Sequence, residues 1–187
     1  MQRIETELPG VFIIEPDVFG DARGFFFESF HERKFRELGI ENRFVQDNHS
    51  LSKCGTLRGL HYQLNNPQAK LCRVIHGEVL DVAVDIRRGS PNFGKWTGAV
   101  LSAENKLQIF VPAGFAHGFL VLSDTAEFLY KCDAFYDPSD ERGVLWNDPD
   151  ININWKIPTD SQILLSGKDS NALPLARISA DQLPSFD

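Results

Sequence analysis

The chain has 187 residues, a length that fits one domain. Hydrophobic residues make up 42% of it and charged residues 24%, which is ordinary for a globular protein. The net charge of −7 disfavours a general nucleic-acid binder, because such proteins usually carry a basic excess. An anionic ligand would therefore need a local basic pocket inside an acidic molecule.

The cysteines and the N-terminus give expectations about the cellular setting. The three cysteines, Cys54, Cys72 and Cys132, are odd in number and show no C-x-x-C spacing. This pattern disfavours a disulfide framework or a zinc ribbon and predicts a reduced, cytoplasmic setting. The N-terminal MQRIETELPGVFIIEP carries charges and only a short apolar run, so it predicts neither a signal peptide nor a membrane span.

Short apolar runs between turn residues predict strands along the first third of the chain. The runs are GVFIIEP, GFFFESF, NRFVQDNHS and TLRGLHYQL. Between the second and third runs, HERKFRELG (residues 31–39) predicts one short helix. Phe35 and Leu38 would share a face of this helix, and Gly39 is a typical C-terminal stop.

The clearest predicted hairpin is KLCRVIHGEVLDVAVDIR, in which two strand-like runs meet at His76-Gly77. The second run alternates between two sets of residues, Leu80, Val82, Val84 and Ile86 on one side and Val79, Asp81, Ala83 and Asp85 on the other. This period of two predicts a strand with one buried face and one wetter face.

The remaining runs complete an all-β pattern. Turn residues separate four further strand-like runs, GKWTGAVLS, LQIFVP, GFLVLS and AEFLYKCDAF. No long helical pattern lies between them, so the sequence predicts a β-sandwich or barrel instead of a parallel α/β sheet. After Tyr136 the sequence predicts loops with short strands. SQILLSGKDS predicts a short strand or loop ending in a charged turn, and the tail from Asn171 predicts a little helix. No linker interrupts the pattern, so a single domain over residues 1–187 is expected.

Three basic residues raise the question of function. Arg58, His61 and Lys70 lie in or beside TLRGLHYQL, and each is costly to bury without a partner. Strict alternation places His61 on the face of Gly59 and Arg58 on the opposite face. Gly59 predicts a close approach by a ligand or by backbone. Lys70 would lie near His61 if their two strands were neighbours, which sequence adjacency favours.

A second motif is VPAGFAHGF, residues 111–119, in which Pro112, Gly114 and His117 form P-x-G-x-x-H. This spacing resembles the second half of the cupin signature, which belongs to a double-stranded jelly roll. The first half would usually supply H-x-H and a Glu, but here His61-Tyr62-Gln63 lacks the second imidazole. A metal site is therefore disfavoured, although His49, His76 and Glu78 remain as other donors.

Taken together, the motifs are more specific than each alone. DARGFFFESF lies near the start of the chain. It is followed, in this order, by RGLHYQ, AKLCRVIHGEVLDVAVDIR, IFVPAGFAHGF, EFLYKCDAFYDPSDERGVLWNDPDI and LLSGKD. This combination resembles the dTDP-4-dehydrorhamnose 3,5-epimerase family over nearly the whole chain. The resemblance implies a cupin-like jelly roll (double-stranded β-helix) with short flanking helices and a core over roughly residues 20–165. It also implies a homodimer that uses no metal or cofactor and acts on a dTDP-linked 4-keto-6-deoxyhexose.

The resemblance also implies residue roles. His61 would be the base, Asp169 would orient it, Tyr130 would be the acid on the opposite face, and Lys70 would stabilise the enolate oxygen. Tyr136 would stack on thymine. The other residues implied to line the nucleotide-sugar site are Arg23, Glu28, Gln46, Asn48, Arg58, His117, Glu141 and Lys168. Gly167 stands where the family usually has an acidic residue before Lys168 and Asp169.

The expected chemistry explains these residue types. A ketone at C4 acidifies the hydrogens on C3 and C5, and an imidazole is a suitable base near neutral pH. A carboxylate fixes its tautomer, and an ammonium stabilises the growing charge on O4. Tyr130 would protonate the other face if an adjacent cation lowered its pKa, and Arg23 and Arg58 would anchor the diphosphate.

Three alternatives stay open on the sequence. The first is a metal-dependent cupin enzyme, which a chelator would inactivate. The second is a non-catalytic sugar-binding jelly roll, which would bind a sugar nucleotide without exchanging solvent deuterium into it. The third is a single-carbon 3- or 5-epimerase of a related 4-keto sugar nucleotide, or a tautomerising relative.

Overall fold

The computed structural model describes residues 1–157, 159 and 162–186, and it is built mainly from antiparallel strands. In chain order the strands are β1 (Gln2–Glu5), β2 (Phe12–Glu15), β3 (Phe19–Asp21), β4 (Gly24–Phe26), β5 (Gln46–Lys53), β6 (Leu57–Gln63), β7 (Lys70–His76), β8 (Glu78–Asp85), β9 (Trp96–Ser102), β10 (Gln108–Val111), β11 (Phe115–Val121), β12 (Thr125–Cys132) and β13 (Glu141–Gly143). The helices are α1 (Glu32–Glu37), α2 (Gly167–Ser170) and two 3₁₀ turns at Leu175–Arg177 and Ala180–Gln182. Among the described residues, no helix has both the length and the apolar composition needed to cross a membrane.

The strands form two main sheets and one small hairpin. One sheet has six strands in the order β1-β2-β10-β7-β12-β5, and the other has five in the order β13-β6-β11-β8-β9. The hairpin pairs β3 with β4. This arrangement confirms the predicted all-β jelly roll. β1 and β2 extend the six-stranded sheet with residues that precede residue 20.

The main core lies between the two sheets. Cys72, Val74 and Phe128 from the six-stranded sheet pack in one buried cluster with Ala83 and Phe119 from the five-stranded sheet. Phe119 and Phe128 stack across this space with ring centroids 4.1 Å apart. The inward residues of the two sheets therefore bury each other, as expected of a sandwich.

Two further clusters cover the outer faces. The C-terminal part of the chain, including Trp155 and Leu175, packs on the outer face of the five-stranded sheet. Phe35 of α1 and Ile40 cover Phe12 and Phe110 on the six-stranded sheet. The predicted short helix over residues 31–39 is confirmed, with bounds Glu32–Glu37.

The predicted hairpin at His76-Gly77 is wrong. β7 pairs with β10 and β12, whereas β8 pairs with β11 and β9, so the chain crosses from one sheet to the other at this point. Gly77 has φ +72°, and a Cβ there would lie 2.0 Å from the carbonyl oxygen of Thr125. The Gly is therefore required by a tight crossing between sheets and not by a two-strand turn.

The wetter face predicted for β8 is also absent. Every residue from Val79 to Asp85 is buried, because β8 is a central strand of a sheet that is covered on both faces. The two buried carboxylates on this strand are satisfied internally. Asp81 accepts from His117, and Asp85 accepts from Arg87 and Ser90.

Three other stretches shift or change type. Only Gly24–Phe26 of GFFFESF is a strand, and the strand predicted in NRFVQDNHS begins later, at Gln46. In SQILLSGKDS, Ser161 lies outside the described residues, Leu164 forms an isolated bridge with Thr56, and the charged turn is the helical turn α2. The little helix predicted after Asn171 corresponds to the 3₁₀ turns.

Candidate active site

A cavity of about 550 Å³ lies between the two sheets. The predicted site residues that line it are Gln46, Asn48, Arg58, His61, Lys70, His117, Tyr130, Tyr136, Glu141, Lys168 and Asp169. They come from strands of both sheets, from the loop after β12 and from α2. The cavity thus brings together side chains that are up to 123 residues apart, from Gln46 to Asp169.

Arg58 and His61 both reach this cavity because β6 contains a bulge. His61 pairs with His117 and Arg58 pairs with Phe119, so two residues of β6 face one residue of β11 between these pairs. The extra residue reverses the alternation, and the prediction that Arg58 and His61 lie on opposite faces is wrong. Gly59 permits the bulge, because a Cβ there would lie 2.6 Å from Gly118 Cα. The close approach that Gly59 predicted is made by backbone.

Asp169 fixes the orientation of the His61 ring. Its carboxylate lies 2.5 Å from His61 Nε2 and is 4% exposed, and its backbone N–H donates to Ser166 Oγ at the start of α2. Burial alone would raise the pKa of Asp169, but the hydrogen bond and charge of His61, the hydrogen bond with Ser166 and the charge of Lys168 together lower it below its usual value. An ionised carboxylate only accepts, so His61 Nε2 carries a proton, and in the neutral ring Nδ1 is the nitrogen with the lone pair.

Glu141 stands beside that second ring nitrogen. One carboxylate oxygen lies 3.8 Å from His61 Nδ1, and the other accepts from Lys168 at 2.5 Å and from the Tyr136 hydroxyl at 2.9 Å. Burial raises the pKa of Glu141, but these hydrogen bonds reverse the effect and lower it. Both nitrogens of His61 therefore face an ionised carboxylate.

Tyr130 belongs to the opposite sheet and is partly buried in the main core. Burial raises its pKa well above the usual value, and the nearby Arg58 charge acts in the opposite direction without offsetting it. The expected lowering of the Tyr130 pKa by a cation is therefore wrong for the unliganded protein. A raised pKa keeps the phenol protonated at neutral pH, which a proton donor requires.

Lys70 starts β7 in the six-stranded sheet, so the expectation that its strand neighbours that of His61 is wrong. The two residues nevertheless share the cavity, because residues 64–69 carry the chain from one sheet to the other. Within the described residues, the Lys70 ammonium makes no hydrogen bond or ion pair. In the described part of the chain, Arg58 has only the hydroxyl of Ser52 as a side-chain acceptor, at 3.1 Å. No acidic side chain among those residues pairs with Arg58 or Lys70, so both charges remain available in the cavity.

The sequence match agrees with this geometry. A family model described as dTDP-4-dehydrorhamnose 3,5-epimerase matches residues 5–177. The chain belongs to this epimerase family. A relative from Shigella flexneri, named dTDP-4-dehydrorhamnose 3,5-epimerase, is 59% identical over 173 residues, which cover 91% of this chain and 94% of the relative. The predicted family and the isomerase class are therefore confirmed.

Two solved structures show the same fold. The dTDP-6-deoxy-D-glucose-3,5-epimerase of Legionella pneumophila, in complex with dTDP-4-keto-L-rhamnose, has 51% identity and a TM-score of 0.96 over 100% of this chain and 98% of that chain. A 3′-monoepimerase of Streptomyces bikiniensis, in complex with dTDP-quinovose, has 37% identity and a TM-score of 0.89 over 97% and 92% of the two chains. This epimerase fold therefore accommodates inversion at one carbon as well as at two.

His117, another predicted contact of the epimerase site, forms part of a buried cluster. Its Nε2 lies 2.9 Å from Asp81 and 3.7 Å from the sulfur of Cys72. In the described part of the chain this is the one group of three donors close enough to hold a metal ion, and it does not include His49, His76 or Glu78. Burial keeps the pKa of Cys72 well above its usual value, so the thiol is protonated. The groups satisfy one another as a hydrogen-bonded His-Asp pair beside a neutral thiol.

Two predicted residues lie away from the cavity of their own chain. Arg23 is in the β3–β4 hairpin, where it pairs with Asp21 and is 89% exposed. Glu28 forms an ion pair with Lys34.

Several residues at or near the cavity are not among the predicted site residues; those that line it are His49, Ser50, Gln68, Phe119 and Ser166. Ser50 lines it, and its buried hydroxyl has no hydrogen-bond partner among the described residues. Ser166 caps the turn that presents Asp169, and Asp81 holds His117. The polar alternation of Gln46, Asn48, Ser50 and Ser52 on β5 was the available signal for Ser50. Nothing local in the sequence links Asp81 to His117.

Proposed function

We propose that this epimerase inverts C3 and C5 of dTDP-4-dehydro-6-deoxy-D-glucose and forms dTDP-4-dehydro-L-rhamnose. The family match and the 59% identical relative support this activity. The observation that carries the mechanism is the His61–Asp169 pair, 2.5 Å apart, in a cavity that also contains Lys70 and Tyr130.

His61 is the proposed base, acting through Nδ1. Asp169 occupies the other ring nitrogen, holds the tautomer and stabilises the imidazolium that forms. Removal of the proton on C3 leaves an electron pair that moves into the C3–C4 bond and onto O4. Lys70 lines the cavity and pairs with no acidic group in the described ranges, which suits its positive charge to stabilise that enolate oxygen.

Tyr130 is the proposed acid. It stands on β12 and His61 stands on β6, in opposite sheets, so a sugar ring held between the sheets would present one face to each. The enolate takes the phenolic proton on the face opposite to His61, which inverts C3. The same steps at C5 complete the reaction, and exchange with solvent returns His61 and Tyr130 to their starting states. These side chains supply every proton and charge, so we propose that no metal or cofactor takes part.

The nucleotide would occupy the more open part of the cavity. Arg58 offers a guanidinium for the diphosphate. Tyr136 is 46% exposed, so its ring is available to stack on thymine. Gln46, Asn48, His117, Glu141 and Lys168 are the remaining proposed contacts from the same chain.

A homodimer would supply the last two contacts. The β3–β4 hairpin exposes Phe19, Phe25 and Phe26, each more than 60% accessible, beside Arg23. Such an aromatic patch is unusual on a monomer and would be buried against a second copy of the chain. This contact would carry Arg23 and Glu28 toward the partner's cavity. Light scattering should show a dimer, and changing Phe19 and Phe26 to Ser should give monomers with weakened nucleotide binding.

We also propose that residues 1–187 fold as one domain and that the protein is cytoplasmic. The match over residues 5–177 supports the single domain. The buried thiols of Cys72 and Cys132 suit a reducing compartment.

Proton NMR of the 4-keto sugar nucleotide in D₂O tests the function directly. The proposed enzyme should exchange the hydrogens at both C3 and C5 for deuterium and produce the L-configured sugar. Exchange at C3 alone would instead indicate a monoepimerase, the activity named for the Streptomyces bikiniensis relative. Binding without exchange would indicate a sugar-binding protein, and loss of exchange on chelation would indicate a metal-dependent enzyme.

A further inference from the structure

Glu141, so far proposed only as a contact of the sugar nucleotide, is the second carboxylate beside His61. Glu141 lies 3.8 Å from Nδ1, the nitrogen that must accept the substrate proton, which is too far for a hydrogen bond in the unliganded protein. Its charge is instead shared with Lys168 and Tyr136 through its other oxygen.

The two partners of Glu141 are exposed, whereas Glu141 is not. Its side chain is 14% exposed, against 55% for Lys168, and the Tyr136 ring also faces solvent. Lys168 and Tyr136 are the proposed nucleotide contacts, for an anion and for a base. A bound nucleotide would therefore compete with Glu141 for both of its partners.

We propose that Glu141 is a positioning residue that couples nucleotide binding to the basicity of His61. In the unliganded enzyme Lys168 and Tyr136 hold it and neutralise it. When the nucleotide engages these two side chains, the carboxylate turns fully toward Nδ1 and stabilises the imidazolium formed by proton abstraction. The base is then strongest only when the nucleotide is in place. This inference rests on the proposed function of the site.

The other charges around His61 are compatible with this role. Asp169 and Lys168 approach from α2, and His117 is its neighbour across the strand pair on β11. The cations Arg58 and Lys70 line the same cavity and oppose protonation of the ring. Asp169 keeps its hydrogen bond with His61 Nε2 whether or not a nucleotide is bound. Glu141 is therefore the acidic group whose contacts, with Lys168 and Tyr136, a nucleotide could replace.

The pH dependence of the two steady-state constants tests the coupling. The acidic limb of the pH profile of kcat/KM reports the pKa of the base in the free enzyme. The acidic limb of the kcat profile reports the pKa of the base in the enzyme–substrate complex. In the wild type, the limb of kcat should lie about one pH unit above that of kcat/KM, the size expected from a charge within 4–6 Å. In Glu141→Gln the two limbs should approach each other, both should move to lower pH, and kcat should fall by about tenfold or more. A merely structural role would not change the separation of the limbs.

Two further variants complete the experiment. Glu127→Gln removes a carboxylate that also pairs with a histidine, His49, 2.8 Å away. Glu127 is not among the residues that line the cavity, so this variant should keep the wild-type separation. Lys168→Met should raise the limb of kcat/KM toward that of kcat, because Glu141 loses the partner that neutralises its charge and keeps only the Tyr136 hydroxyl.

An active Glu141→Gln enzyme with the wild-type separation would overturn the coupling and leave the epimerase function standing. Lys168→Met with an unmoved kcat/KM limb would do the same if Glu141→Gln failed to fold. Absence of deuterium exchange in the wild type would instead refute the proposed function itself.

Discussion

The Lys70→Met substitution removes a positive charge from the cavity while keeping most of the apolar stem of the side chain. Lys70 begins β7 and has no hydrogen bond or ion pair within the described residues. If its charge acts on the enolate oxygen, the variant should lose transition-state stabilisation and little else.

The expected loss can be estimated in two ways. A preplaced donor to an oxyanion contributes roughly 3–4 kcal/mol. Coulomb's law gives about 4 kcal/mol for unit charges about 4 Å apart at an effective dielectric constant of about 20. Both values correspond to a fall in kcat of about 10²–10³-fold. Stability should change by less than about 1 kcal/mol, because no acidic partner is left without its counter-charge.

The assay is deuterium exchange into the 4-keto sugar nucleotide, together with the thermal unfolding temperature of each variant. Lys131→Met is the matched control, because that lysine pairs with Asp47 at 2.9 Å on the outer side of β12. The control should stay within about twofold of the wild type, since surface pairs contribute little. Lys70→Met with kcat within threefold of the wild type and an unchanged unfolding temperature would refute enolate stabilisation by Lys70.

Four other predictions concern the base, the acid, the bulge and a buried carboxylate. His61→Asn should fold normally and lose deuterium exchange, and Tyr130→Phe should retain exchange better than inversion; wild-type exchange in the first variant would remove His61 as the base. Gly59→Ala should lower the unfolding free energy by about 3 kcal/mol, because the added methyl would lie 2.6 Å from Gly118 Cα. Gly20→Ala is the control and should cost far less, because the atom nearest to its added methyl is 3.8 Å away. Equal unfolding temperatures for the two variants would contradict the close contact at Gly59. Asp85→Asn should cost about 3 kcal/mol at neutral pH, since Asp85 is fully buried and paired with Arg87. The hydrogen bonds from Arg87 and Ser90 outweigh burial and lower the pKa of Asp85, so its stabilising contribution is complete above the unfolded-state pKa of about 3.9 and is lost as the pH falls through the folded-state value. Urea unfolding should therefore show the difference between Asp85→Asn and the wild type shrinking in acid, and a difference independent of pH would contradict the pairing.

The sequence by itself determined the strand content, the all-β class and the short helix at Glu32–Glu37, because periodicity, Gly and Pro act within a few residues. It also pointed to the family and to most of the cavity-lining side chains, because the motifs that carry them are contiguous in the sequence. RGLHYQ and VPAGFAHGF are two such stretches, because the first lies within one strand and the second is a strand with the turn before it. The residue types followed from the chemistry of removing a proton beside a ketone.

Tertiary structure alone decided how these pieces meet. The crossing at Gly77, the burial of both faces of β8 and the bulge that turns Arg58 toward the side of His61 depend on strands that are distant in sequence. The same holds for the contact of Glu141 with Lys168 and for the pairing of Asp81 with His117. Local alternation specifies which residues share a face of an isolated strand, but which faces are buried depends on the layers that pack on them, and those layers come from the whole chain.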